Sequence, residues 1–184
     1  MKVSYYDIIF LVIIMNEAYK KLAERNGWSY SESDNKPYFM KDGSYAIPDE
    51  TTTDEDKELL ANIISEGSSE MAQLILLCWN NGITISGPCS GIREFHDKPP
   101  ISLHFSFKAS KEIIDLLFNS LQSTLSTFHH MYRESNGLVR YDIDYFLEEK
   151  ELSAKESNDI FAVIKNQLQN SLDIIDNKKT PAIS

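Results

Sequence analysis

The sequence predicts an α+β protein, a mostly antiparallel sheet with helices packed on one face and a polar opposite face. Three observations predict it. Residues 83–86, 101–107 and 138–146 alternate apolar and polar side chains, as half-buried strands do. Residues 71–81, 110–128 and 153–172 instead repeat apolar side chains at three- and four-residue spacing, the period of a helix with one buried stripe. Their order is strand, strand, helix, strand, helix, which segregates the helices on one face of the sheet.

Each element has a local cause. Ile8 to Met15 is an apolar run preceded by Asp7, too short to span a bilayer as a helix and without a small-x-small cleavage site after it. A buried first helix or strand is expected there, a dimer contact being the alternative use of the same surface. Asn16 to Arg25 continues as helix and stops at Asn26-Gly27. Residues 28–37 are polar and turn-rich, and Tyr38-Phe39-Met40 and Tyr45-Ala46-Ile47 flank an Asp42-Gly43 turn as a short hairpin. Thr52 and Glu55 have capping-box spacing, so a helix begins near Asp54, with Gly67-Ser68-Ser69 as its break or kink. The wide apolar stripe of Met71, Leu74, Ile75, Leu77, Cys78 and Trp79 implies a well-buried helix that ends at Asn81-Gly82. Ser110 opens the next helix through Ile113, Leu117, Leu121, Leu125 and Phe128, which Asn136-Gly137 is expected to end. Ser153 with Glu156 is a second capping box, opening a last helix through Ile160, Phe161, Ile164, Leu168 and Leu172.

At 184 residues the length fits one domain. The expectation is a single domain over 1–184: helix and hairpin to residue 50, the core over 51–176, and a frayed tail over 177–184. Eighteen basic against 28 acidic residues give a formal net charge of -10, the wrong sign for neutralising an extended nucleic-acid backbone. Only a local basic pocket remains open to phosphate. Two cysteines, Cys78 and Cys89, are too few for a disulfide framework and point to a reducing, cytoplasmic setting.

The polar sheet face is where chemistry is expected. Alternation places Thr84 and Ser86, then Ser102, His104 and Ser106, then Arg140, Asp142 and Asp144 on the side away from the helices. His104 can donate or accept a proton, Arg140 can hold a carboxylate or phosphate in its fork, and Asp142 with Asp144 can orient a hydroxyl or amine. The alternative is a solvated face with no ligand, since antiparallel sheets alternate polar residues on their exposed side.

Gly87-Pro88-Cys89-Ser90-Gly91 reads as a loop next to that face, with backbone freedom to present N–H groups to an anion and Ser90 as a further donor. It lacks the lysine and spacing of a P-loop, and a tight crossover is the alternative. Arg93 and His96 follow and can close over a bound group or sit exposed. Cys89 with His96 or His104 raises a thiolate nucleophile, against which free cysteine is commonly an inert packing residue. His129-His130 reads as a pair late in a helix, near the end that favours a cation, and no metal is assigned. The acidic runs 49–56 and 148–151 read as solvated helix starts and turns.

Across residues 82–107 the order strand, Cys89-Ser90-Gly91, loop, strand resembles the Ser-Ser-Cys-Ser-Gly-Arg segment of the tRNA wybutosine-synthesising methyltransferase family. Gly87-Pro88 stand here in place of its two serines and Ile92 in place of its arginine. The resemblance implies that the segment joins two strands, and it implies S-adenosylmethionine and a guanosine-derived base of tRNA as ligands.

Three functions compete on these residues. The first is a binding module holding a small anionic or nucleotide-like ligand between Gly87–Gly91 and the polar face, through Gly87, Cys89, Ser90, Gly91, Arg93, His96, His104, Arg140, Asp142 and Asp144. The second is an acidic inhibitor or immunity-type protein, phage-borne in some cases, that occupies a basic protein partner with phosphate-like carboxylates. The third is an enzyme acting on a nucleotide-like substrate, with His104 or Asp142 as base, for which no cofactor fingerprint is legible. An inward-facing Arg140 and His104 favour the first, and carboxylates clustered on one exposed face favour the second.

Overall fold

The computed structural model describes residues 5–33, 36–42, 44–95, 98–135, 137–146 and 152–179, with side chains for 15–32, 37–42, 46–85, 103–135, 137–146 and 152–178. Length alone gave no reason to divide the chain, but its internal contacts separate two compact units, Met1–Leu59 and Leu60–Ser184. Among the described residues no helix is long and apolar enough to cross a membrane.

In the first unit, the apolar run belongs to a helix, α1 (Tyr5–Arg25). It closes with a Schellman turn: Gly27 lies at φ +64°, and the Trp28 and Gly27 N–H groups donate to the Ala23 and Glu24 carbonyls. Three antiparallel strands follow, β1 (Ser29–Ser33), β2 (Lys36–Lys41) and β3 (Ser44–Tyr45). The expected hairpin is present, with Lys41 opposite Ser44. Strand β1 is a correction, because residues 28–37 read as turn by composition. Its polar serines are tolerated because Tyr30 and Trp28 supply the apolar contacts, both packing their rings within 6.2 Å of the buried Phe39 ring. Helix α2 (Asp54–Ile64) starts where expected, but its cap lies one residue beyond the expected box: Thr53 Oγ1 accepts from the Asp56 N–H, while Thr52 Oγ1 accepts from the Asp49 N–H. The Asp56 side chain is thereby left to Arg25 and Asn26, which donate to it from the end of α1.

The second unit carries the expected α+β layer. Glu66 and Gly67, both at positive φ, separate α2 from α3 (Ser69–Asn80), whose N-cap Ser68 accepts from the Met71 N–H. Then come β4 (Thr84–Phe95), β5 (Lys98–Ser110), α4 (Lys111–Thr124), β6 (His129–Ser135), β7 (Leu138–Phe146) and α5 (Ala154–Lys179). The sheet order is β4-β5-β7-β6, every neighbouring pair antiparallel. The α4 connection therefore carries the chain from β5 past one strand position, and β7 returns into that gap. Leu103, Phe105, Phe107, Val139, Tyr141 and Ile143 form one sheet face, all fully buried with Ile114, Leu117 and Leu121 of α4 and Phe161, Ile164 and Leu168 of α5. The Ser153–Glu156 box holds as expected, each residue's backbone N–H donating to the other's side chain.

Two expectations fail here. The helix opened by Ser110 ends at Thr124, and Gly137 stands between the paired strands β6 and β7, where Ser135 is opposite Leu138; Asn136 lies outside the described residues. Asn-Gly serves helix ends and hairpins alike, because both demand positive φ, and Gly137 takes φ +76°. Ser110 occupies the N-cap position without a side-chain hydrogen bond. Second, Gly87 to Gly91 belong to β4 itself and not to a loop.

Candidate functional site

Antiparallel pairing puts directly opposed residues on the same side of a sheet, so register alone assembles the polar face into rows. The first row runs Thr84, Lys108, Arg140, Arg133 across β4, β5, β7 and β6. The next is Ser86, Ser106, Asp142, Met131, and the third is Cys89, His104, Asp144, His129. At the far end Arg93, Ile101 and Phe146 are aligned.

Four of the expected residues come together on this face. Arg140 Nε donates to both oxygens of Asp142, at 2.9 and 3.1 Å. His104 Nδ1 lies 2.5 Å from Asp144 Oδ1. A carboxylate only accepts, so Nδ1 carries the proton, and in the neutral ring the Nε2 lone pair is left open; among the described residues nothing bonds to it. Both carboxylates are buried, with side chains 3% and 4% exposed, whereas Arg140 is half exposed and His104 is 17% exposed. Burial on the face is therefore uneven. Its acids lie beneath and its cations reach outward.

Two features of this face lie beyond the expected ligand residues. Ser106 of β5 is directly opposite Asp142, and among the described residues its buried hydroxyl has no hydrogen-bond partner. Lys108 and Arg133 flank Arg140 on the neighbouring strands, both exposed, and among the described residues neither has a carboxylate partner. Among the described residues Arg133 Nη2 meets only the Met131 sulfur, at 3.7 Å. Lys108 was visible in the alternation of β5, two residues beyond Ser106. Arg133 was hidden because its strand was read as helix.

The remaining expected residues are placed by the backbone. Cys89 is opposite His104, inside the third row. Ser90 is opposite Leu103, whose side chain belongs to the buried core face, so its register does not join it to the polar rows. Gly87 with Pro88, and Gly91 with Ile92, fall at register shifts of the β4–β5 ladder, where Pro88, having no N–H, is tolerated. Arg93 pairs with Ile101, and His96 lies outside the described residues.

The histidine pair is divided by its strand. His129 faces the polar side, and its ring meets Phe146 edge-on at 5.5 Å. His130 faces the core, where Nε2 donates to the Leu125 carbonyl and Nδ1 accepts from the Tyr141 hydroxyl. Burial pushes the Tyr141 phenol well above its ordinary range, which keeps it a donor. Cys78 is fully buried and its thiol is likewise pushed up by burial, so it is a packing residue.

Comparison with family models, curated proteins and solved structures finds no match for this chain.

Proposed function

We propose that the polar face of the four-stranded sheet binds a small anionic ligand through the row Lys108, Arg140 and Arg133. The observation that carries this reading is the row itself. Like charges directly opposed across strands repel and destabilise a sheet, and this chain, with a net charge of -10, has acids enough to intersperse among them. Asp142 answers one cation of the three. A bound anion answers the others. Arg140 gives only its Nε to Asp142 among the described residues, so both of its Nη groups keep their donors for a ligand.

The competing reading, an acidic protein that occupies a basic partner, gains nothing from this face, because Asp142 and Asp144 are buried and engaged. Isothermal titration with pyrophosphate as the probe tests the proposal. Saturable binding is expected, weakened about tenfold or more by Lys108→Gln and by Arg140→Gln, since a hydrogen bond to a charged group contributes roughly 1.5–3 kcal/mol. Heat without saturation, or affinity indifferent to both substitutions, refutes it.

A further inference from the structure

The anion row occupies one end of the face, and the other end is aromatic. His129 and Phe146 bring two rings into edge contact at 5.5 Å on the same side of the sheet as Arg140 and Asp142. His129 is exposed and Phe146 half-buried, so the pair offers ring surface outward from the sheet. Four residue steps along β7 lead from Arg140 to Asp144, which is paired with His129, a distance of about 13 Å at the usual strand rise. Between the two ends lie groups that bond to hydroxyls. His104 presents Nε2 there, an acceptor in the neutral ring whose orientation Asp144 holds.

We infer that the ligand of this face is a nucleoside phosphate bound in one direction, with its phosphate on Lys108, Arg140 and Arg133 and its base against the His129–Phe146 pair. The inference rests on the anion-site reading and adds to it the class and polarity of the ligand. A free phosphate or polyphosphate uses only the first row. A nucleoside phosphate uses the whole length: charge for the phosphate, the His104 ring nitrogen for the sugar hydroxyls, and an aromatic surface for the base, whose stacking is tolerant of base identity. The Asp142 carboxylate does not oppose the phosphate as a free charge, because it already holds the Arg140 cation, and Asp144 lies at the other end of the face.

Affinity measured by calorimetry for ADP, pyrophosphate and S-adenosylmethionine on the full chain decides the matter. ADP is expected to bind about tenfold or more tightly than pyrophosphate, the gain expected of one stacked base. His129→Ala, at an exposed position, and Phe146→Ala should each lower ADP affinity and leave pyrophosphate affinity unchanged, whereas Arg140→Gln should lower both. Should Phe146→Ala fail to fold, His129→Ala carries the same comparison. Equal affinity for ADP and pyrophosphate, with His129→Ala neutral, overturns the inference and leaves the anion site standing. S-adenosylmethionine binding without ADP binding overturns it as well, by showing a nucleoside held without phosphate. Binding by none of the three overturns both readings.

Discussion

Removing Arg140 from Asp142 should cost the second unit measurable stability, and the size of that cost follows from burial. Asp142 is 3% exposed and both of its oxygens accept from one nitrogen, Arg140 Nε, while the arginine side chain is 50% exposed. Breaking a fully buried pair costs about 3–5 kcal/mol because a charge is stranded, whereas exposed pairs contribute roughly 0–1 kcal/mol. With one partner buried and the other half in water, Arg140→Gln should cost about 2 kcal/mol. In a chain of this size that corresponds to a fall in Tm of roughly 4–8 °C. The charge-neutral pair Arg140→Gln with Asp142→Asn strands no charge and should recover most of the loss, which a double-mutant cycle in urea reads directly. The double variant should nonetheless bind pyrophosphate poorly, separating loss of the site from loss of the fold. The reasoning fails if Arg140→Gln unfolds within 0.5 kcal/mol of the parent, about the noise of such cycles, or if adding Asp142→Asn restores nothing.

Other predictions concern the frame around the site. The hydrogen bond from Arg25, with the Arg25 charge and Asn26 as further donors of stabilisation, holds the Asp56 carboxyl below its ordinary range. A depressed folded-state value means stability that is complete above the unfolded carboxylate value and is lost as pH falls through the folded one. Trp28 fluorescence in a Trp79→Phe background should therefore report acid unfolding of the first unit below about pH 4, and Asp56→Asn should lower stability at neutral pH and flatten that acid limb; an unchanged acid profile contradicts the assignment. Ser153→Ala removes the reciprocal cap of α5 and should cost about 1 kcal/mol in urea unfolding, with no change expected in pyrophosphate affinity. Cys78 should take up iodoacetamide only in denaturant, as followed by peptide mass spectrometry, and rapid labelling of the native protein would show that its surroundings open.

The fold class was legible because it rests on signals that neighbouring residues settle among themselves. The period of two in Val139, Tyr141 and Ile143, and the Ser153–Glu156 box, need no distant partner to be read, and they reappear in β7 and α5 with those residues in those roles. The failures share one cause. Asn136-Gly137 reports only a backbone that accepts positive φ, and whether a helix or a hairpin supplies the flanks depends on what β7 finds beside it. Likewise the glycines at 87 and 91 read as a loop because nothing local says that β5 will pair across them.

The candidate site divides the same way. Alternation along single strands was sufficient to put His104 with Ser106, and Arg140 with Asp142 and Asp144, on the side away from the helices, so four residues of the expected site stand where the sequence placed them. Which strand neighbours which was beyond it, because register is set by side chains that meet across tens of residues of chain. Only the folded sheet decides that Arg133 lies beside Arg140 and Lys108, that Asp144 meets His104, and that His129 reaches Phe146 while His130 turns to the core. Composition specified an acidic chain; the pairing of three strands set three of its 18 cations side by side in one row.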